Sequence, residues 1–192
     1  IGRFRQYQVY RTFRDSKSEN HALLGLSEIE RHKLFEGLKP SRAEIIKTAI
    51  GYHNIIRLHD IPDHKTEFFS KLLRDADKLD IWRVMTAHVK KESSGCHDPV
   101  TQNLPAGENV SEKLLKQLED GITIPLADVE TVNDYILFML SWIFDLNFRP
   151  SLEAALRRRV IWQLSAKLPS NKDLEVCMHG LEARLKRMVN LQ

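Results

Sequence analysis

Apolar residues recur along this chain at steps of three and four, and no stretch alternates at steps of two, so the pattern predicts helices and no strands. The clearest stripe is Val132, Tyr135, Ile136, Met139, Leu140 and Ile143, which predicts an amphipathic helix over about 127–146. Leu174, Cys177, Met178, Leu181 and Leu185 mark a last helix capped by Asn171, and Pro150-Ser151 opens another through Trp162 to about Leu168. Upstream, Asn20 is placed to cap a helix from His21 to about Glu30, closed off by Gly37 and Pro40. Ser41 and Glu44 match a capping box, and the apolar face that follows, Ile46, Ala49 and Ile50, is continued by His53. A long helix opens at Asp63 or Lys65 and runs through Ile81, Trp82 and Met85 to about Lys91, and a short one from Ser111 to Asp120 stops at Gly121. Residues 1–18 are basic and aromatic without a period and are expected to form a loop with short helical turns. Residues 93–109, rich in Ser, Gly, Pro and Asn, are expected to form a surface loop. The expected fold class is all-α.

Within the long helix one segment breaks the pattern. Phe69, Leu73, Ala76 and Asp80 follow at helical spacing, and Asp77 lies four residues after Leu73, so the period sends Asp77 and Asp80 inward. Asp75, about 200° round the helix from Asp77, is expected to face the other way. An unpaired inward carboxylate costs several kcal/mol, so Asp77 calls for a cation, a histidine or a hydrogen-bond network, with a structural ion pair as the competing reading.

Composition narrows the class. The 192 residues suit one domain, read as a site-bearing part (1–92), the loop (93–109) and further C-terminal helices (110–192). Hydrophobic residues are 42% and charged residues 29%, which excludes a disordered chain. No apolar run approaches the ~18 residues of a membrane span, since Tyr135 to Phe144 is short and flanked by polar residues. The net charge of +3 is spread out, and Arg157-Arg158-Arg159 reads as a solvated face before it reads as a nucleic-acid contact. Cys96 and Cys177 form no CxxC pair, so neither a disulfide framework nor a thiolate zinc site is expected, and a reducing cytoplasm fits. With Ile1 first and no signal pattern, the sequence is expected to start inside a longer protein.

Asp77, His53 at the end of one helix and His21 at the start of another are the residue types that hold a divalent metal between packed helices. His53 alone reads as a hydrogen-bonded core histidine before it reads as a ligand. Their order and surroundings resemble the HD superfamily of metal-dependent phosphohydrolases. Ala76-Asp77-Lys78-Leu79-Asp80 resembles the family's distal Asp element, and Ile1-Gly2-Arg3-Phe4 resembles the residues that follow its His-Asp pair. His21-Ala22-Leu23-Leu24-Gly25 resembles the His-x-x-x-Gly element of binuclear members, and Tyr52-His53-Asn54 their His-His element, with Asn54 in place of the second His. The C-terminal part, around Leu140-Ser141-Trp142 and Asp145 to Phe148, is similar to the tail of a bacterial subgroup.

The resemblance implies an HD-like helical bundle with additional C-terminal helices. It implies Asp77, His21 and His53 as ligands of Mn, Fe, Mg or Zn, and Arg3 as the cation that meets a phosphate. Asp80, Arg74 and Lys78 would orient the ligands. The implied activity is hydrolysis of a small phosphorylated substrate, a nucleotide among the candidates, by metal-activated water in the cytoplasm. The family's first His and its His-Asp pair would precede Ile1, so residues 1–192 alone are expected to bind metal weakly and to be inactive. The branch that acts on cyclic dinucleotides is disfavoured, because Asn54-Ile55-Ile56-Arg57 stands where its Gly-Tyr-Pro element would be. Two other readings remain open: a degenerate HD-fold binding or regulatory module, and a helical interaction protein with charged pairs in its core.

Overall fold

The computed structural model describes residues 1–56, 58, 60–90 and 101–191, with the backbone alone at 88–90. Among the described residues it is all helical, as the apolar periods require. Residues 93–100, about half of the expected loop, lie outside the described residues, as does Cys96. Two compact units divide the chain, Ile1–Arg74 and Asp75–Gln192. Among the described helices none is long and apolar enough to cross a membrane.

The first unit holds α1 (Gly2–Tyr10), α2 (His21–Arg31), α3 (Pro40–Tyr52) and the opening of α4 (His64–Lys90), with a 3-10 turn at Asp15–Lys17. α1 corrects the expected loop. It carries no apolar stripe because it docks through Gly2 and Gln6, its buried residues, while Phe4, Tyr7 and Tyr10 stay exposed. Asn20 caps α2 as expected, its side-chain oxygen accepting from Ala22 N at 2.8 Å. The Ser41–Glu44 capping box does not form. Pro40, with its fixed φ and no N–H to leave unpaired, opens α3 two residues earlier, behind Lys39 as N-cap.

The second unit packs the remainder of α4 with α5 (Glu112–Glu119), α6 (Val132–Ser141), α7 (Arg149–Arg157), α8 (Val160–Ser165) and α9 (Lys172–Leu191). Their apolar faces close one core, in which Trp82, Leu118, Leu137, Leu140, Leu152, Leu164 and Leu185 are fully buried. Trp82 Nε1 also donates to the Met139 carbonyl at 3.1 Å, so its one polar atom is paired. α6 is shorter than expected. A reciprocal Thr131/Asp134 box starts it, and 3-10 turns at Leu126–Asp128 and Trp142–Asp145 take up the rest of the stretch. The expected helix from Pro150 to Leu168 breaks into α7 and α8 at Arg158-Arg159, where Arg159 adopts a left-handed φ of 51°.

α4 is rotated from the expected phase. Asp75 is buried (1% exposed), Asp77 only half-buried and Asp80 exposed, while Phe69 is 45% exposed. The expectation of an inward Asp80 and an outward Asp75 is therefore corrected. The helix buries Arg74, Lys78, Trp82 and Met85 instead, and each polar member has work there. Arg74 donates to the carbonyls of Tyr52, His53, Ile55 and Ile56, which closes the C-terminal end of α3. Asp75 accepts from the backbone of Asn147 and Phe148 just ahead of α7, and Lys78 meets Asp145 at 2.8 Å.

Candidate functional site: a histidine pair in the first unit

His21 is the first residue of α2 and His53 follows the last residue of α3, so two helix ends carry the pair. Their rings meet edge to face with centroids 4.8 Å apart. The two Nε2 atoms stand 2.9 Å from each other.

The opposite nitrogens decide what that contact is. His53 Nδ1 lies 2.7 Å from the Ile50 carbonyl, which only accepts, so Nδ1 holds the proton and Nε2 the lone pair. His21 Nδ1 lies 2.8 and 3.0 Å from the two carboxylate oxygens of Asp15. Asp15 in turn receives Gln6 Nε2 at 2.8 Å, Asn54 Nδ2 at 3.1 Å and Arg3 Nη1 at 3.3 Å. Burial alone would raise the Asp15 carboxyl. The hydrogen bond and charge of His21, the Gln6 amide and Arg3 outweigh it and hold the group down at about 2.

Gln6 ties the surrounding loop together. It is fully buried, and its amide also reaches Ser18 Oγ at 2.7 Å and the Glu19 carbonyl at 3.2 Å. Arg3 Nη1 donates to Gln6 Oε1, Asp15 and the Phe13 carbonyl, so the residue expected to meet a phosphate is engaged with the loop that carries Asp15. α1 and α2 cross closely enough for this at Gly2, where a Cβ would stand 1.8 Å from the His21 carbonyl oxygen and 2.8 Å from Gly25 N.

The structure thus brings His21 and His53 together, with Arg3 joined to them through Asp15. Asp77 belongs to the second unit, where it is half-buried and, among the described residues, forms no ion pair or hydrogen bond. Of the other expected orienting residues, Arg74 and Lys78 make the contacts given above and Asp80 pairs with Arg83 at 2.8 Å. Among the described residues no three His, Cys, Asp or Glu side chains form a group able to hold an ion. Asp15 and Gln6 escape a sequence reading, because a polar loop and an unstriped helix give no period to follow.

The donor set fits a divalent ion in two respects. Imidazole nitrogens suit Zn, Fe and Mn, and a 2.9 Å separation is that of an N–H···N hydrogen bond and also that of two ~2.0–2.1 Å bonds at the right angle of an octahedral ion, shorter than the ~3.4 Å of a tetrahedral one. The chain matches no protein-family model, no curated protein and no solved structure at a significant level.

Proposed function

We propose that this chain carries part of the site of a metal-dependent phosphohydrolase, with His21 and His53 as metal ligands. The observation that carries the reading is the 2.9 Å approach of two Nε2 atoms whose rings both turn Nδ1 toward an acceptor. At that distance a proton or a metal ion has to lie between the two nitrogens: a charged His21 places a proton there, and a metal, when bound, takes that place. Resemblance to the HD superfamily supplies the reaction type; the further ligand it implies, Asp77, belongs to the other unit of the chain.

Such an ion supplies water with a pKa lowered toward neutrality and polarises a phosphoryl oxygen. The chain's own residues do the positioning. Ile50 holds the His53 ring through its carbonyl, and Arg74 fixes the same helix end by closing the carbonyls that follow it. The resemblance gives Arg3 the substrate phosphate to meet; in this chain its permanent charge is paired with Asp15. The substrate class is a small phosphoester, nucleotides included.

Turnover of p-nitrophenyl phosphate and bis-p-nitrophenyl phosphate by the full-length protein, with Mn or Zn supplied, tests this. His53→Ala is expected to lower the rate at least ~100-fold at unchanged helicity. Equal rates in the two proteins would remove the pair from the chemistry.

A further inference from the structure

Asn54 stands where binuclear members of the resembled family carry a second histidine, and its amide tells what it does here. Nδ2 donates to Asp15 Oδ2 at 3.1 Å and to Asn20 Oδ1 at 3.0 Å. Turning the amide over would set its oxygen against two acceptors, so the orientation is fixed by its neighbours. Asn54 therefore clamps Asp15 to the residue that caps α2. Asp15 is held from four directions: by Arg3 and Gln6 of α1, by Asn54 after α3, and by the backbone N–H of His21 at 3.4 Å. A carboxylate with both oxygens engaged in this way is not available as a ligand. It retains one function toward the pair, to accept from His21 Nδ1.

We infer that Asp15, clamped by Asn54 and Gln6, is a positioning residue that keeps the His21 proton on Nδ1 and so presents Nε2 as a ligand. This rests on the metal reading above for its purpose, though not for its geometry. An imidazole that ligates through one nitrogen gains basicity and a fixed ring orientation when a carboxylate accepts from the other. A neutral imidazole free in water favours the proton on Nε2, which would block the ligand, so the tautomer has to be imposed. It follows that the Asn54 amide nitrogen belongs to the orienting network, while its Oδ1 is buried without a hydrogen-bond partner among the described residues.

The test separates the inference from the reading beneath it. Long-range 1H–15N spectra of the full chain, freed of metal by a chelator at mildly alkaline pH, are expected to show His21 Nδ1 protonated. In the isosteric Asp15→Asn the amide donates to that nitrogen, and the proton is expected on Nε2. Zinc titration of the two proteins should then show 10–100-fold weaker binding in Asp15→Asn. Ser18→Ala, which loosens the same loop without touching His21, should stay within about threefold of the parent. Finding His21 Nδ1 unprotonated in the parent, or Asp15→Asn with tautomer and affinity unchanged, would overturn the inference. Should Asp15→Asn fail to fold, the parent spectrum alone decides. A parent with Nδ1 protonated and no zinc affinity would leave Asp15 in its assigned role and refute the metal reading.

Discussion

Gly2→Ala is expected to destabilise the first unit by about 3 kcal/mol, although helix propensity alone would predict about 1 kcal/mol of stabilisation. The added methyl group meets backbone on every side. It would stand 1.8 Å from the His21 carbonyl oxygen, 2.9 Å from the carbonyl carbon and 2.8 Å from Gly25 N, and no flexible side chain is present to yield. α1 must then move away from α2, and little apolar area holds it, since Gly2 and Gln6 are its buried residues. Separation of the helices also withdraws Gln6 and Arg3 from Asp15, which leaves a half-buried carboxylate short of two donors. Amide hydrogen exchange over Gly2–Tyr10 reads the effect directly. Protection equal to or greater than the parent's would show that the helices yield more easily than their backbones allow.

Asp75→Ala is expected to cost the second unit about 3–5 kcal/mol. The carboxylate is buried and takes Asn147 N at 3.0 Å, Asn147 Nδ2 at 2.8 Å and Phe148 N at 3.0 Å. Two of these are backbone donors just ahead of α7, so Asp75 anchors the chain where it enters that helix and sets a negative charge near the positive end of its dipole. Removal takes this acceptor from the half-buried backbone N–H groups of Asn147 and Phe148, while Asn147 Nδ2 keeps the Asp145 carbonyl. Asp75→Asn keeps an acceptor but turns an NH2 toward N–H groups, and about half the loss is expected from it. Trp82, Trp142 and Trp162 all lie in this unit, so the denaturant midpoint followed by tryptophan fluorescence measures both variants. A change under about 1 kcal/mol for Asp75→Ala would show that water satisfies these donors.

The same residue shows how far the sequence could be followed. Helix α4 is legible in extent, because Pro62 precedes it and the apolar residues from Ile81 to Met85 continue it. Its phase is not legible in the first half. Phe69, Leu73 and Ala76 define an apolar face, and hydrophobic reasoning turns that face inward, but the buried positions there belong to Arg74, Asp75 and Lys78. Each of these satisfies backbone or charged groups of distant segments, a demand that no local period records. Where burial is driven by apolar area, as in α6 and α9, the stripes read from the sequence are the buried faces found.

The histidine pair divides in the same way. His21 and His53 stand out because each is placed by a helix end, one behind an Asn cap and the other on an extension of an apolar face. Asp15, Gln6 and the orientation of Asn54 depend on a loop returning beneath α2, and contacts over six to thirty-nine residues leave no mark in spacing. Arg3 was legible as a fixed charge, whereas its bond to the Phe13 carbonyl was not.

Metal content is the most direct measure of the central claim. Elemental analysis of the full-length protein, purified without added metal, is expected to find one to two equivalents of a divalent transition metal. His53→Ala and Asp77→Ala are each expected to lose at least one of them at unchanged helical content. Absence of metal from all three proteins, or equal metal in all three, would contradict the assignment and leave the paired histidines a structural contact between helix ends.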